Sequence, residues 1–196
     1  MVPIVNGKVH HFGPRGLYDG MVLISDDETN SYWNHVTGEC VYGELEGERL
    51  QTFPIEHTTV KAAMNKYKDL KIALFNPSIK MKLLSFVMTR GKKKSFLPPG
   101  FEQTMGVLDD RLPKMSSGLG VILGEHQRFY PVDTVKSKGG TIYDSIHGRT
   151  VTVQLNPDAG VPQATFTDNQ VEKPMQLFTR WYGFSLTYPN CEVYDG

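Results

Sequence analysis

Six histidines, His10, His11, His35, His57, His126 and His147, are the side chains of this 196-residue chain best suited to bind a metal or move protons near neutral pH. A zinc-hydrolase helix would carry two of them four residues apart, and no pair has that spacing. Cys-x-x-Cys is missing too, since Cys40 and Cys191 are the only cysteines. His10 and His11 are adjacent, so on an extended strand they point to opposite faces and only one can reach a given ion. No metal-ligand set is nominated on this basis, and the cofactor is unknown. Nucleophilic catalysis would call for a Gly-x-Ser-x-Gly elbow, which the chain does not contain. Ser31, Ser145 and Cys40 have histidines nearby in sequence, but a catalytic triad is a spatial arrangement and not a sequence neighbourhood.

Carboxylates for acid–base work are plentiful: Asp19, Asp26, Asp27, Asp109, Asp110 and Asp144. Most flank expected turns, where Asp is favoured because its side chain bonds nearby backbone N–H groups. Asp144 lies in a hairpin-like run close to His147 and stands out among them. Trp33 would stack a sugar or planar ligand if exposed, but its alternating context reads as core, with the indole N–H bonded locally. The ligand-binding candidates are Trp33, His35, Arg111, His126, Asp144 and His147, and the catalytic residues are unknown. Gly13, Gly16 and Gly20 in "FGPRGLYDG" lack the strand–loop–helix context of a phosphate loop.

The elements that must position these residues are mostly short strands. "GMVLISDD" is an apolar run closed by acidic turn formers, and "NSYWNHVTGECVYGEL" alternates around glycines. Gly43 and Gly47 bracket a turn. The period then changes: Val60, Ala63, Met64 and Tyr67 form one helical stripe, with Thr58 or Thr59 as N-cap. A strand is expected at "LKIALF", residues 70–75, then a long Pro- and Gly-rich connection over 76–106 with one short ordered piece. Hairpins are expected at Gly124-Glu125 and near His147-Gly148, with Val151, Val153 and Leu155 on one face. Pro174 suits the first turn of a helix through "MQLFTRWYGFSLTY". "VKAAMNKYKDLKIALF" and "RWYGFSLTYPNCEVYDG" echo each other as helix, tyrosine, turn and strand, as do Phe53-Pro54 and Tyr130-Pro131. The expected fold class is α+β, mainly β, with internally duplicated short-strand units, one helix each, around a shared core. One compact domain is expected, with a first β-rich unit over 1–75, a connection over 76–106 and a second unit over 107–196.

Ser31, Trp33, Thr37, Gly38, Gly43, Leu45, Gly47, Leu50 and Pro54 follow the pattern T-x-S-x-W, then T-G-x-x-x-x-G-x-L-x-G-x-x-L, then a proline before a helix. In this the chain resembles the domain-of-unknown-function family DUF3179. "DDRLP", Asp109 to Pro113, "GVILGEHQRFYP", Gly120 to Pro131, and "YDSIHGRTVTV", Tyr143 to Val153, resemble the family's second unit. The resemblance implies a β-rich, internally duplicated domain, usual in exported bacterial or archaeal proteins, and no known reaction. Many members carry a Cys-Pro-x-Cys-Gly run where this chain reads "NPDAG", Asn156 to Gly160, so a thiol-based redox or metal role does not carry over. Cys40 stands where relatives often have alanine, which implies packing.

Charge limits the partners. Lys plus Arg and Asp plus Glu are both 21, giving a net charge of zero, which argues against nucleic acid. No apolar run approaches the ~18 to 20 residues of a membrane span. The first residues, "MVPIVNGKVHHFG", lack a signal peptide's basic and apolar regions, so export is expected only if a signal has been trimmed, and the compartment is unknown. The charge is uneven, however. "KMKLLSFVMTRGKKK" places Lys80, Lys82, Arg90, Lys92, Lys93 and Lys94 among apolar residues with no acid, a composition suited to weak contact with an anionic surface. The functional reading is a soluble β-rich domain binding a small ligand or protein partner. The alternative is a hydrolase or metal-assisted enzyme using His and Asp from separate loops, so whether the protein is an enzyme stays open.

Overall fold

The computed structural model describes residues 1–74, 76–82, 86, 97, 100–169 and 171–196. Among them the chain is mainly β with few short helices, arranged in four sheets. A small hairpin of β1 (Ile4–Val5) and β2 (Lys8–Val9) leads into an antiparallel meander. The meander runs β3 (Phe12–Tyr18), β4 (Met21–Asp26), β5 (Tyr32–Asn34) and β6 (Cys40–Tyr42), neighbours in sequence pairing in order. The spacing of glycines after Trp33 has a steric cause here. Gly43 has φ +112°, and a Cβ on it would stand 2.8 Å from the Cα of Ser31, so only glycine lets this turn close over β5. Behind it Val5, Trp33, Cys40 and Leu50 form a small core, with Phe12 edge-on to Trp33 at 5.8 Å.

The second half builds two more sheets. One has the order β12 (Met175–Arg180), β7 (Ser117–Leu123), β8 (His126–Pro131), β13 (Glu192–Val193), all antiparallel except β13, which runs parallel to β8. The other is the antiparallel meander β9 (Thr141–Ile146), β10 (Arg149–Leu155), β11 (Pro162–Phe166). Helix α2 (Val132–Ser137) links β8 to β9 and buries Val135 completely. Period-2 alternation sorts the side chains: Leu119, Val121 and Tyr130 face Ile142, Val151, Val153, Ala164 and Phe166 in one core. Phe129 points the other way, packing with Trp181 and Phe184 of α3 (Trp181–Thr187). Helix α3 can lie this close because β7 offers no side chain at Gly120, where a Cβ would overlap the Phe184 ring.

The hairpins expected at Gly124-Glu125 and His147-Gly148 are formed, the latter with φ +45° and +78°, as a two-residue turn of this hand requires. Thr59 is the N-cap of α1 (Val60–Lys66), its hydroxyl accepting from the Ala62 N–H at 3.2 Å. Three expectations are corrected. Pro174 does not open a helix: Met175–Arg180 pairs residue for residue with β7, and this ladder together with burial of Gln176 outweighs the local helical preference until Trp181. Residues 70–74 form no strand, and among the described residues no strand pairs with them. The apolar stripe of α1 is not a core face, since Val60, Met64 and Tyr67 are all exposed. No duplication is shown. Tyr67 and Tyr188 both take the C-cap of a seven-residue helix, but only the latter leads into a strand. In the basic run, Lys80 and Lys82 are exposed, while Arg90, Lys92, Lys93 and Lys94 lie outside the described residues.

The two halves touch through several contacts. Glu56 holds Lys66 of α1 at 2.8 Å and Lys173, just before β12, at 3.2 Å. His57 rests against Phe178, and its carbonyl accepts from Gln163.

Candidate functional site

Along β8 the residues His126, Arg128 and Tyr130 share one face, spaced by two, and that face looks across to β9 and its turn. Asp144 on β9 is the meeting point. Its Oδ2 accepts from Arg128 Nη1 at 2.5 Å and from the hydroxyl of fully buried Tyr130 at 2.7 Å, and its Oδ1 accepts from the Ser145 N–H at 2.7 Å. Arg128 also donates to the Ser145 carbonyl, and its Nε and Nη2 both reach Glu192 Oε2. The register explains that second pairing, because Glu192 of β13 lies directly beside Arg128. Burial opposes the charge on Arg128, but the bonds to Asp144 and Glu192 more than offset it and raise its pKa above the usual arginine value. Burial first, and then the Asp144 carboxylate, push the Tyr130 phenol well above its ordinary range, so it stays a donor at any working pH.

This network floors an open groove of about 470 Å³ lined by Arg111, Arg128, Asp144 and residues Glu192–Gly196. Arg111 also lines it. Its guanidinium pairs with Asp109, donates to the Cys191 carbonyl at 3.0 Å and lies over the Trp181 ring at 5.3 Å. Trp181 in turn donates its indole N–H to the Asp109 carbonyl, so Arg111 is clamped between a carboxylate and an aromatic face. Cys191 behind it is a buried free thiol, its pKa pushed up by burial to about 11, which leaves it protonated and poorly nucleophilic.

Of the nominated residues, Arg111 and Asp144 line this groove together, and His126 and His147 stack with ring centroids 3.9 Å apart at the end of the same β8 face. Trp33 and His35 lie elsewhere. Trp33 is fully buried, its Nε1 donating to Asp26 Oδ2 at 2.8 Å, and His35 packs its Nδ1 against the Val22 carbonyl. Sequence reading missed Arg128, Tyr130 and Glu192. The i, i+2 spacing of Arg128 and Tyr130 was a usable signal, whereas the Glu192 contact depends on a parallel pairing that no local pattern announces.

The Trp33 region is a second polar cluster. Asp26 is fully buried at the end of β4 and accepts from His10 Nδ1 at 3.1 Å, from the Thr29 N–H and hydroxyl, and from Trp33. Burial alone would raise the Asp26 pKa, but these donors outweigh it and hold the carboxyl at about 2. Ser31, also fully buried, bonds the Thr29 hydroxyl at 2.7 Å and accepts from the Leu45 N–H. Thus Thr29, Ser31 and Trp33, spaced by two along one short segment, all serve the packing of Asp26. A separate cleft of about 390 Å³ lies between the meander and the β7–β8 hairpin, with Thr37, Glu39 and Arg49 on one side and Glu125, Gln127 and Tyr188 on the other. Its charged pair, Glu39 and Arg49, is exposed and bonded to itself at 3.2 Å.

The spacing that builds the Asp26 cluster and the hairpin that carries Asp144 both fall within a match to the family "Protein of unknown function (DUF3179)", which covers residues 3–179. The chain belongs to DUF3179. No curated protein and no solved structure matches it. The DUF3179 match includes Arg111, Arg128 and Asp144, and stops before Glu192, so the carboxylate facing Arg128 comes from outside the matched span.

Proposed function

We propose that this DUF3179 chain is a binding domain whose groove takes a small anionic ligand, a carboxylate or phosphate, on Arg128. One observation carries the reading. Arg128 lines the groove with its Nη1 held by Asp144, and among the described residues its Nε and Nη2 bond Glu192, whose side chain is 61% exposed. The Nε–Nη2 edge is the fork that accepts two oxygens of an anion, and an exposed carboxylate is a partner that a ligand can displace. Arg111, which lines the same groove, offers a second positive charge. At this groove the hydrolase reading is less well served, because Asp144 is bonded to Arg128, Tyr130 and Ser145 rather than to a histidine.

Calorimetry with a panel of small carboxylates and inorganic phosphate tests this. Glu192→Gln removes the internal competitor and should tighten binding of the best anion by about fivefold or more, roughly 1 kcal/mol. Arg128→Lys keeps the charge but loses the fork, and should weaken it by a comparable factor. Absence of binding by both the native protein and Glu192→Gln rejects the proposal.

A weaker contact with an anionic surface is supported by Leu74, Ile79 and Met81, which are exposed beside Lys71, Lys80 and Lys82. Sedimentation with anionic vesicles should show binding that is lost as salt rises, each lysine contributing about 1 kcal/mol near the surface. No sedimentation at low salt rejects it.

A further inference from the structure

The Asp26 cluster opens to solvent on one side, through Glu28. His10 Nδ1 lies 3.1 Å from Asp26 Oδ1 and 3.7 Å from Glu28 Oε2, and one ligand atom from each of the three residues lies within 4.8 Å of the others. Four ligands held tetrahedrally at zinc bonding distances are about 3.3–3.6 Å from one another, so the His10 contacts already bracket that spacing. The donor set is one imidazole nitrogen and two carboxylate oxygens, which suits a borderline first-row cation better than calcium or magnesium.

The surroundings supply what such a site needs beyond its ligands. Asp26 is oriented from behind by the Thr29 hydroxyl and the Trp33 indole, both bonded to its carboxylate. Glu28 is oriented by His11, whose Nδ1 meets its Oε1 at 2.7 Å and whose backbone N–H meets its Oε2 at 2.9 Å. His10 is nearly buried and Asp26 fully so, while Glu28 is one-third exposed and His11 largely exposed, which gives an ion a way in from one side only.

We infer that His10, Asp26 and Glu28 form a binding site for a divalent first-row transition ion, represented by Zn²⁺, with water in the remaining position. His10 binds through Nδ1, and its ring proton moves to Nε2, so a neutral imidazole remains neutral. The ion takes the place of the single N–H now set between two carboxylates and ties the start of β3 to the β4–β5 turn. This site is separate from the Arg128 groove and does not depend on it.

The test uses the chelator-stripped 196-residue chain with Zn²⁺ by calorimetry and elemental analysis, and Co²⁺ absorption to report nitrogen and oxygen coordination. One Zn²⁺ per chain is expected. Glu28→Gln, at a partly exposed position that leaves the Asp26 core in place, should weaken Zn²⁺ by at least about tenfold. His10→Gln should abolish stoichiometric binding, with thermal melting confirming that each variant is folded. The double variant His126→Gln, His147→Gln should bind as the native protein does. No stoichiometric Zn²⁺ on the native protein overturns the inference. Binding unchanged in Glu28→Gln, lost instead in the His126/His147 variant, or matched in strength by Ca²⁺ would overturn it equally.

Discussion

Asp26 and Asp144 are built alike and placed differently. Each sits in a β-strand, each accepts from an aromatic donor (Trp33 for Asp26, Tyr130 for Asp144) and each has a cationic or titratable neighbour, His10 or Arg128. Asp26 is buried: Thr29 and Trp33 come from its own meander and His10 from the stretch just before it, and its side chain has no exposure, solvent being reached past Glu28. Asp144 bridges two sheets, keeps 14% exposure, and its main partner Arg128 also faces a groove. A buried carboxylate fixes local structure, whereas one at a seam between sheets can hold an arginine ready for a ligand while remaining structural itself. The difference comes from topology and not from residue type.

The largest expected effect separates the two by stability. Asp26→Ala strands the buried Trp33 indole N–H and leaves the half-buried Thr29 donors without their acceptor, and should cost about 3–5 kcal/mol, whereas Asp144→Ala leaves Arg128 paired with Glu192 and near water, and should cost about 1–3 kcal/mol. Equal losses in denaturant unfolding would erase the distinction.

Acid should act on the buried site next. The folded Asp26 pKa of about 2 lies below the ordinary aspartate value of 3.8, so its contribution is full above about pH 4 and is lost as pH falls toward 2. That contribution is roughly 2 kcal/mol. Glu56, bonded by Lys66, Lys173 and Tyr67 against the cost of burial and also held at about 2, titrates over an overlapping window. The comparison is therefore between native protein and Asp26→Asn, whose acid unfolding should be less steep below pH 4. Identical profiles would mean that Asp26 is not the group being protonated.

Tyr130→Phe removes one hydroxyl donor to Asp144 without changing shape and should cost about 1 kcal/mol. A much larger loss would place Asp144 with Asp26 as a buried group. The smallest effect is expected at Glu192→Gln, within about 0.5 kcal/mol of native stability because its ion pair is exposed on one side. A large destabilisation there would mean that Glu192 holds the groove shut as structure and is not an exchangeable cover.

Local patterning determined a good part of this protein. The strands of the meander, the β7–β8 and β9–β10 hairpins, the cap at Thr59, the burial of Trp33 and Cys40, and the family pattern were legible because each depends on residues within a turn or a strand of one another. Asp144, Arg111, His126 and His147 were legible as polar residues in hairpins and turns; in the structure Arg111 and Asp144 line one groove, and His126 stacks on His147. Tertiary structure alone decided the rest. Met175–Arg180 became a strand because β7 was there to pair with it, and the apolar stripe of α1 stayed exposed. The pairing of Arg128 with Glu192, 64 residues away, required β13 to add itself parallel to β8. Hydrogen-bond ladders and desolvation act between segments distant in sequence, and their sign at a given residue is fixed only when the partner surface exists.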